Sequence, residues 1–292
     1  MHNHLSNAKH VKNDEFYTRR VDIDAELVNY TSSFNGKVVY CNCDDEGSAF
    51  KSYFVENFHA LGLQGLYCTG IAGECFEYDG DTATVNKING DFRSSDSTKL
   101  LEQAEIIVTN APFSLFREHV TQLLEYGKDF LVIGNKNAIS YKEFFPKLQK
   151  GRVRLGYSTP NIFNTPTGTA NLQGLCRWFT TLPTPDKTLW TPTASVNDRE
   201  YHSFDLYPAL NVDRTSEIPC DHHGLMGVPI TALGHLDPTK FEIVDLIARY
   251  AVIDHSYDVR GRQLTEIDGK PRYSRLIINK LKEHKNENKT RL

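Results

Sequence analysis

Ile106-Ile107-Val108-Thr109-Asn110-Ala111-Pro112-Phe113-Ser114 is the stretch from which the chain is read. Its three consecutive β-branched apolar residues predict a strand buried on both faces. Pro112 has no N–H and a fixed φ, so the strand cannot run past it. Asn110 and Phe113 are therefore expected at the carboxyl end of a parallel strand, where open α/β sheets hold their ligands. An amide oxygen and a main-chain carbonyl can each accept one hydrogen of an exocyclic amine. A phenyl ring beside them can stack on a planar base, an interaction of roughly 1–3 kcal/mol. The stretch predicts a site for a planar base that carries an amino group.

Upstream, Lys37–Asn42 reads as a strand after the Asn35-Gly36 turn signal. Cys43-Asp44-Asp45-Glu46-Gly47-Ser48 then opens a helix, with Ala49, Phe50, Tyr53, Phe54 and Phe58 at helical spacing. Strand, short polar loop and helix form the unit that binds nucleotide-like cofactors. The Gly-x-Gly-x-x-Gly fingerprint is absent. Three acids stand in its place, and they would repel phosphate; acids at a helix start serve equally well as caps that complement the dipole. Leu63–Thr69 reads as a second strand, with no acid after it until Glu74, and Glu74–Asn89 as a hairpin around Asp79-Gly80. A helix is expected around Lys99-Leu100-Leu101 and another over Phe116–Tyr126, closed by Gly127. Phe130–Gly134 is the next buried strand, and Asn135-Lys136-Asn137 ends it at the edge where Asn110 stands. Tyr141–Gln149 reads as a helix.

Around Gly151 the pattern changes to strand alternation, in Val153–Tyr157 and Leu175–Phe179, with prolines at 160, 166, 183, 185, 192 and 208. Further strands are expected at Phe241–Val244 and Ser274–Ile278. The expected organisation is a polar, disordered 1–12, an α/β core over 13–150, and a loop-rich β extension over 151–292. Arg152, Arg154 and Arg177 can read guanine edges or touch phosphates.

A chain of 292 residues, 39% hydrophobic and 24% charged, allows one large or two modest domains. No apolar run of about 18 residues exists, so no membrane span is expected, and Met1-His2-Asn3-His4 offers no apolar signal core. Six scattered cysteines without a CxxC pair fit reduced thiols in a cytoplasmic protein. Cys220-Asp221-His222-His223 lacks a second ligand pair, and no metal is expected. The net charge of −4 does not advertise nucleic-acid binding, but ten basic residues from Arg260 onward face only four acids. Such a strip can be a phosphate footprint or a solvated tail.

Asn110-Ala111-Pro112-Phe113 resembles the Asn-Pro-Pro-Phe motif of methyltransferases that act on exocyclic nitrogens. Five more stretches resemble the EcoRI-type adenine-specific DNA methyltransferase family: Asn13–Thr18, Tyr40–Asp45, Gly90–Ser94, Gly134–Ile139 and Met226–Thr231. The resemblance runs from about residue 13 to about residue 280, and the ordered set is specific where the four-residue motif alone is weak. Ala111 departs from it, in place of the first proline. The resemblance implies a Rossmann-like sheet dependent on S-adenosylmethionine, with a β target-recognition extension and a basic tail. It implies that Asn110, Ala111, Pro112 and Phe113 are catalytic, and that Phe16, Tyr17, Thr18, Asn42, Asp44, Asp45, Ser48, Asp91 and Phe92 hold the cofactor, with the ribose contact expected at Glu74 or at Thr69. S-adenosylmethionine carries a sulfonium and an ammonium but no phosphate, which suits the acid-lined loop. Asn135, Lys136, Asn137 and Arg177 would touch the flipped adenine or its phosphates in double-stranded DNA, for a monomer or weak dimer in a bacterial or phage-infected cytoplasm. Two rival readings remain open: methylation of RNA or another amino group, and an inactive DNA-binding homologue with Ala111 as the symptom.

Overall fold

In the computed structural model, which describes residues 16–45, 47–185, 189, 192–247 and 264–281, Ile106–Thr109 is a strand with every residue buried. The expected disordered 1–12, Glu46, Arg260, Arg262 and the tail from Lys282 lie outside the described residues.

The chain divides into two units, residues 1–138 with 152–187 and residues 139–151 with 188–292. The boundary expected at 151 is not where this division falls. After Gly151, Cys176–Thr180 pairs with the strand that ends at Asn135 and Arg154–Leu155 pairs with Cys176–Thr180, so both extend the first sheet. Gln149 instead donates its amide to the carbonyls of Ile243 (3.1 Å) and Val244 (2.7 Å) in the second unit. Strand alternation is local in sequence, whereas the choice of partner strand is not.

The first unit contains strands β1 (Tyr17–Thr18), β2 (Val38–Cys41), β3 (Gly65–Thr69), β4 (Glu74–Tyr78), β5 (Ala83–Lys87), β6 (Ile106–Thr109), β7 (Asp129–Asn135), β8 (Arg154–Leu155), β9 (Ile162–Thr165), β10 (Gly168–Asn171) and β11 (Cys176–Thr180). Its helices are α1 (Arg20–Leu27), α2 (Thr31–Phe34), α3 (Ala49–Glu56), α4 (Phe58–Leu61), α5 (Ser95–Gln103) and α6 (Phe116–Glu125). The main sheet runs β5-β4-β3-β2-β6-β7-β11-β8, eight strands in all. Its centre, β3-β2-β6-β7, is parallel, and the strands outside it are antiparallel. From β2 the chain steps one way to β3, then returns to lay β6 on the other side of β2. The order therefore reverses between β2 and β6, the place where such sheets open a crevice at their strand ends. Beside it, β1, β9 and β10 form a small antiparallel sheet.

Local signals explain these elements. Ser48 Oγ accepts from Phe50 N at 3.0 Å and caps α3, and Ser94 Oγ accepts from Ser97 N at 3.1 Å and caps α5. Alternate residues of the central strands (Val39, Cys41, Ile106, Val108, Leu131, Ile133) join Ile23, Leu27, Phe34 and Phe54 in one core. Inside that core lies a buried carboxylate. Glu26 of α1 accepts from Tyr30 OH (2.8 Å), Tyr157 N (2.8 Å), Ser158 N (2.6 Å) and Ser158 Oγ (2.7 Å), which pins the loop after β8 to α1.

The second unit contains α7 (Phe145–Gln149), β12 (Leu210–Asn211), β13 (Met226–Pro229), β14 (Phe241–Ile247), β15 (Glu266–Ile267), β16 (Lys270–Pro271) and β17 (Arg275–Lys280). Strands β12-β13-β17-β14 form one sheet and β15-β16 a hairpin. The helix expected over 141–149 is shorter, because Pro146 fits only the first turn. Arg275 is buried in this unit, donating to Asn211 Oδ1 and pairing with Asp213, each at 3.1 Å. Among the described residues no helix is long and apolar enough to cross a membrane.

Candidate active site

At the switch point of the first unit lies a cavity of about 500 Å³, within the usual range for small-molecule sites. Its walls are Phe16–Thr18 of the N-terminal segment and the loops that follow β2, β3 and β6, with Gly90–Phe92 before α5 and Asn164 of β9. These loops press together through bare backbone. A Cβ on Gly90 would lie 1.9 Å from the Gly70 carbonyl oxygen, and one on Gly70 would lie 2.7 Å from Asp45 Cβ. Sequence reading missed Gly70, Gly90, Ile71, Leu115 and Asn164. The only signal for Gly70 was a lone glycine just after a predicted strand, while Gly90 opens the Gly90–Ser94 stretch quoted above.

The loop after β6 builds an aromatic wall. Asn110 Nδ2 donates to the Phe16 carbonyl at 2.5 Å, while its Oδ1 is buried without a partner. Phe113 stacks on Phe16 with ring centroids 5.4 Å apart at 21°, and both rings meet the edge of Phe163 at 6.2 Å. The Pro112 carbonyl accepts from Leu115 N at 2.9 Å, turning the chain into α6. Ala111 is buried in this turn and lines the cavity. Thr18 Oγ1, on the wall formed by β1, is a second buried polar atom without a partner. Buried polar groups are nearly always paired, so two orphans at one cavity point to a ligand.

The loop after β2 builds an acidic wall. Asp44 Oδ1 accepts from Ser48 Oγ at 2.7 Å, Asp44 Oδ2 accepts from Thr109 Oγ1 at 2.5 Å, and Asp44 N donates to the Thr69 carbonyl at 2.7 Å. Burial raises the Asp44 carboxyl to about 6, against the opposing pull of the two hydroxyls. Asp45 lines the same cavity. Asn42 Oδ1 accepts from His119 Nε2 of α6 at 2.9 Å. Burial alone holds the His119 ring neutral, with its titration near 3. Cys43, also in the wall, is a protonated thiol, its pKa pushed up chiefly by burial. Asp91 is gripped by Arg93 at 2.9 and 2.6 Å, which lowers its carboxyl, and Phe92 packs edge-to-face on His119 at 5.1 Å.

Most of the sequence-predicted residues thus meet at one cavity: Phe16, Tyr17, Thr18, Asn42, Asp44, Asp45, Ser48, Asp91, Phe92 and Asn110–Phe113. Thr69 does not. It is fully buried, and its hydroxyl shares a 2.7 Å hydrogen bond with Tyr40 OH. Asn135, Lys136, Asn137 and Arg177 also lie outside the cavity wall. Asn135 Oδ1 accepts from Asn137 N (2.9 Å), Lys136 N donates to the Leu175 carbonyl (2.7 Å), and Arg177 Nη1 donates to the Cys176 carbonyl (2.7 Å). Among the described residues no group of His, Cys, Asp and Glu could hold a metal.

Comparison with known proteins gives consistent results. A family model described as adenine-specific methyltransferase EcoRI matches residues 4–87 and 79–289. The Type II methyltransferase M.MgeORF184P of Mycoplasma genitalium is 35% identical, covering 95% of this chain and 98% of that protein. M.MpnI of Mycoplasma pneumoniae is 35% identical over 94% of this chain and 97% of its own length. M.EcoRI of Escherichia coli is 35% identical over 88% of this chain and 93% of its own length. No solved structure matches the chain. On a family match that spans nearly all of its length, this chain belongs to the EcoRI family of adenine-specific methyltransferases.

Proposed function

We propose that this chain methylates N6 of adenine in double-stranded DNA, with S-adenosylmethionine held in the switch-point cavity of a Rossmann-like sheet. The single observation that carries the reading is Asn110. Its amide is fixed by the Phe16 carbonyl, and its buried oxygen lacks a donor. An adenine amino group supplies that donor, and the backbone carbonyl of Ala111 accepts the second hydrogen.

The adenine N6 lone pair is delocalised into the ring and is a poor nucleophile. Two acceptors draw the nitrogen toward a tetrahedral state, which favours the transition state over the ground state. Phe113, backed by Phe16, offers the stacking face. The target must leave the duplex to reach these groups, at a cost of a few kcal/mol. The donor set also fits the cofactor: carboxylates Asp44, Asp45 and Asp91 suit a cation, and none of the phosphate-cradling glycine pattern is present. When bound, S-adenosylmethionine supplies a methyl group on a sulfonium, open to direct in-line attack. Holding donor and acceptor in one cavity removes much of the entropic barrier, a term of up to roughly 7–11 kcal/mol.

In this reading residues 139–151 and 188–292 form the target-recognition part, Asn135, Lys136, Asn137 and Arg177 contact DNA beside the flipped base, and the enzyme works in a bacterial or phage-infected cytoplasm. The test is transfer of a tritiated methyl group from S-adenosylmethionine to duplex DNA, with single-molecule sequencing to identify the base. Label on N6 of adenine at a defined site is the expected result. Label on RNA alone, or no label from a protein that binds the cofactor, would overturn it.

A further inference from the structure

The cavity has three acids on its walls, and the carboxamide of Asn42 stands on the same wall as Asp44 and Asp45. Asn42, at the end of β2, is almost wholly buried, and both hydrogen bonds to its side chain end on Oδ1: from His119 Nε2 at 2.9 Å and from the Cys43 thiol at 3.9 Å. Its Nδ2 donates to no described protein group, yet Asn42 lines the cavity. The amide is therefore turned, with its oxygen to the interior and its NH₂ to the ligand space.

His119 sets that orientation. An amide oxygen can only accept, so Nε2 must carry the ring's proton. The ring is fully buried on α6, and Nδ1 has no partner. A leucine would fill similar space without that orphan, so the burial of an imidazole here is explained by the hydrogen bond it gives to Asn42. The same ring meets Phe92 edge-on, and Gln122, one turn further along α6, donates Nε2 to the Phe92 carbonyl at 3.2 Å. One helix face thus holds two cavity walls, and that helix grows directly out of the Asn110–Phe113 turn.

We propose that His119 is a positioning residue for cofactor binding: it fixes the Asn42 carboxamide so that its NH₂ donates to the carboxylate of an amino-acid-bearing ligand. The acids beside it match the cationic and hydroxyl groups of such a ligand but repel a carboxylate. Arg93 is engaged by Asp91 and Glu118. An amide NH₂ held outward supplies a neutral donor at this acidic wall. The inference rests on the cofactor reading above and adds a residue and a direction to it.

The test is calorimetric binding of two ligands that share their nucleoside and thioether: S-adenosylhomocysteine, which bears the amino acid, and 5′-methylthioadenosine, which lacks it. In His119→Leu, binding of the first should weaken about tenfold, the worth of one hydrogen bond to a charged group, and the second should stay within about twofold. His119→Gln, whose amide can donate to the same oxygen, should recover most of the loss. Asn42→Asp should reproduce the selective loss without disturbing α6, and so keeps the test decisive if His119→Leu fails to fold. Equal weakening of both ligands, or none in a folded variant, overturns the positioning role while leaving the cofactor reading intact. If the unaltered protein binds neither ligand, the cofactor reading fails with it.

Discussion

The two walls of the cavity are satisfied to different degrees. On the acidic wall the protein has already spent its own donors. Ser48 and Thr109 hold both oxygens of Asp44, and Arg93 holds both oxygens of Asp91. On the aromatic wall Asn110 is anchored by its nitrogen, and its oxygen is left bare. The Asp44 and Asp91 carboxylates of the first wall are thus satisfied within the protein. The second is completed only by what it binds, as expected of a group that tightens in the transition state.

The sharpest way to break that contrast is Asn110→Ala. Loss of one positioned acceptor should lower kcat by about 10²–10³-fold, while calorimetric affinity for S-adenosylmethionine changes by less than about threefold. A comparable loss of cofactor affinity would show that the two walls do not act separately. Next in size is the pH response of the acidic wall. Burial lifts Asp44 to about 6, above an unfolded carboxyl near 3.9, so its contribution to stability is present below about pH 4 and is lost as pH rises through about 6. A cationic ligand requires the ionised form, so its affinity should fall by about tenfold per pH unit below about 6. Stability and affinity then move in opposite directions over one window, and Asp44→Asn should flatten both curves. Unfolding and binding titrations at pH 5 and pH 7 decide the matter.

Phe113→Leu should have a smaller effect. It forfeits stacking on the base, worth roughly 1–3 kcal/mol, as a raised KM for DNA with cofactor affinity unchanged. Smallest is Ala111→Pro. The carbonyl proposed to accept from N6 is present with either residue, and Pro112 already restricts Ala111 to extended conformations. A second ring would add preorganisation worth about 0.4–1 kcal/mol, read as a two- to fivefold rise in kcat. A fall would show that the buried turn cannot accept the ring.

Much of this site was legible before the structure. The β-branched run of Ile106–Val108, the stop imposed by Pro112 and the acids after β2 each follow from local chemistry. Other features depend on contacts distant in sequence. Thr69 looked like a polar residue at a strand end, but Tyr40 OH, 29 positions away, takes up its hydroxyl. His119 is a lone histidine on a helix, and its partner lies 77 positions upstream. The strands after Gly151 alternate correctly, yet alternation does not say which strand they pair with. Lys136 and Arg177 carry the right charge, but Lys136, just past the end of β7, and Arg177, on β11, both stand outside the cavity wall.

The hydrogen bond from Asn110 to the Phe16 carbonyl spans 94 positions of the chain. The Asn110 carboxamide is thus held by the main chain of a segment far upstream of its own motif. A cleavage site or fusion joint placed against Phe16 would loosen β1 from β9 and free the carboxamide to turn, silencing the enzyme with every motif residue intact.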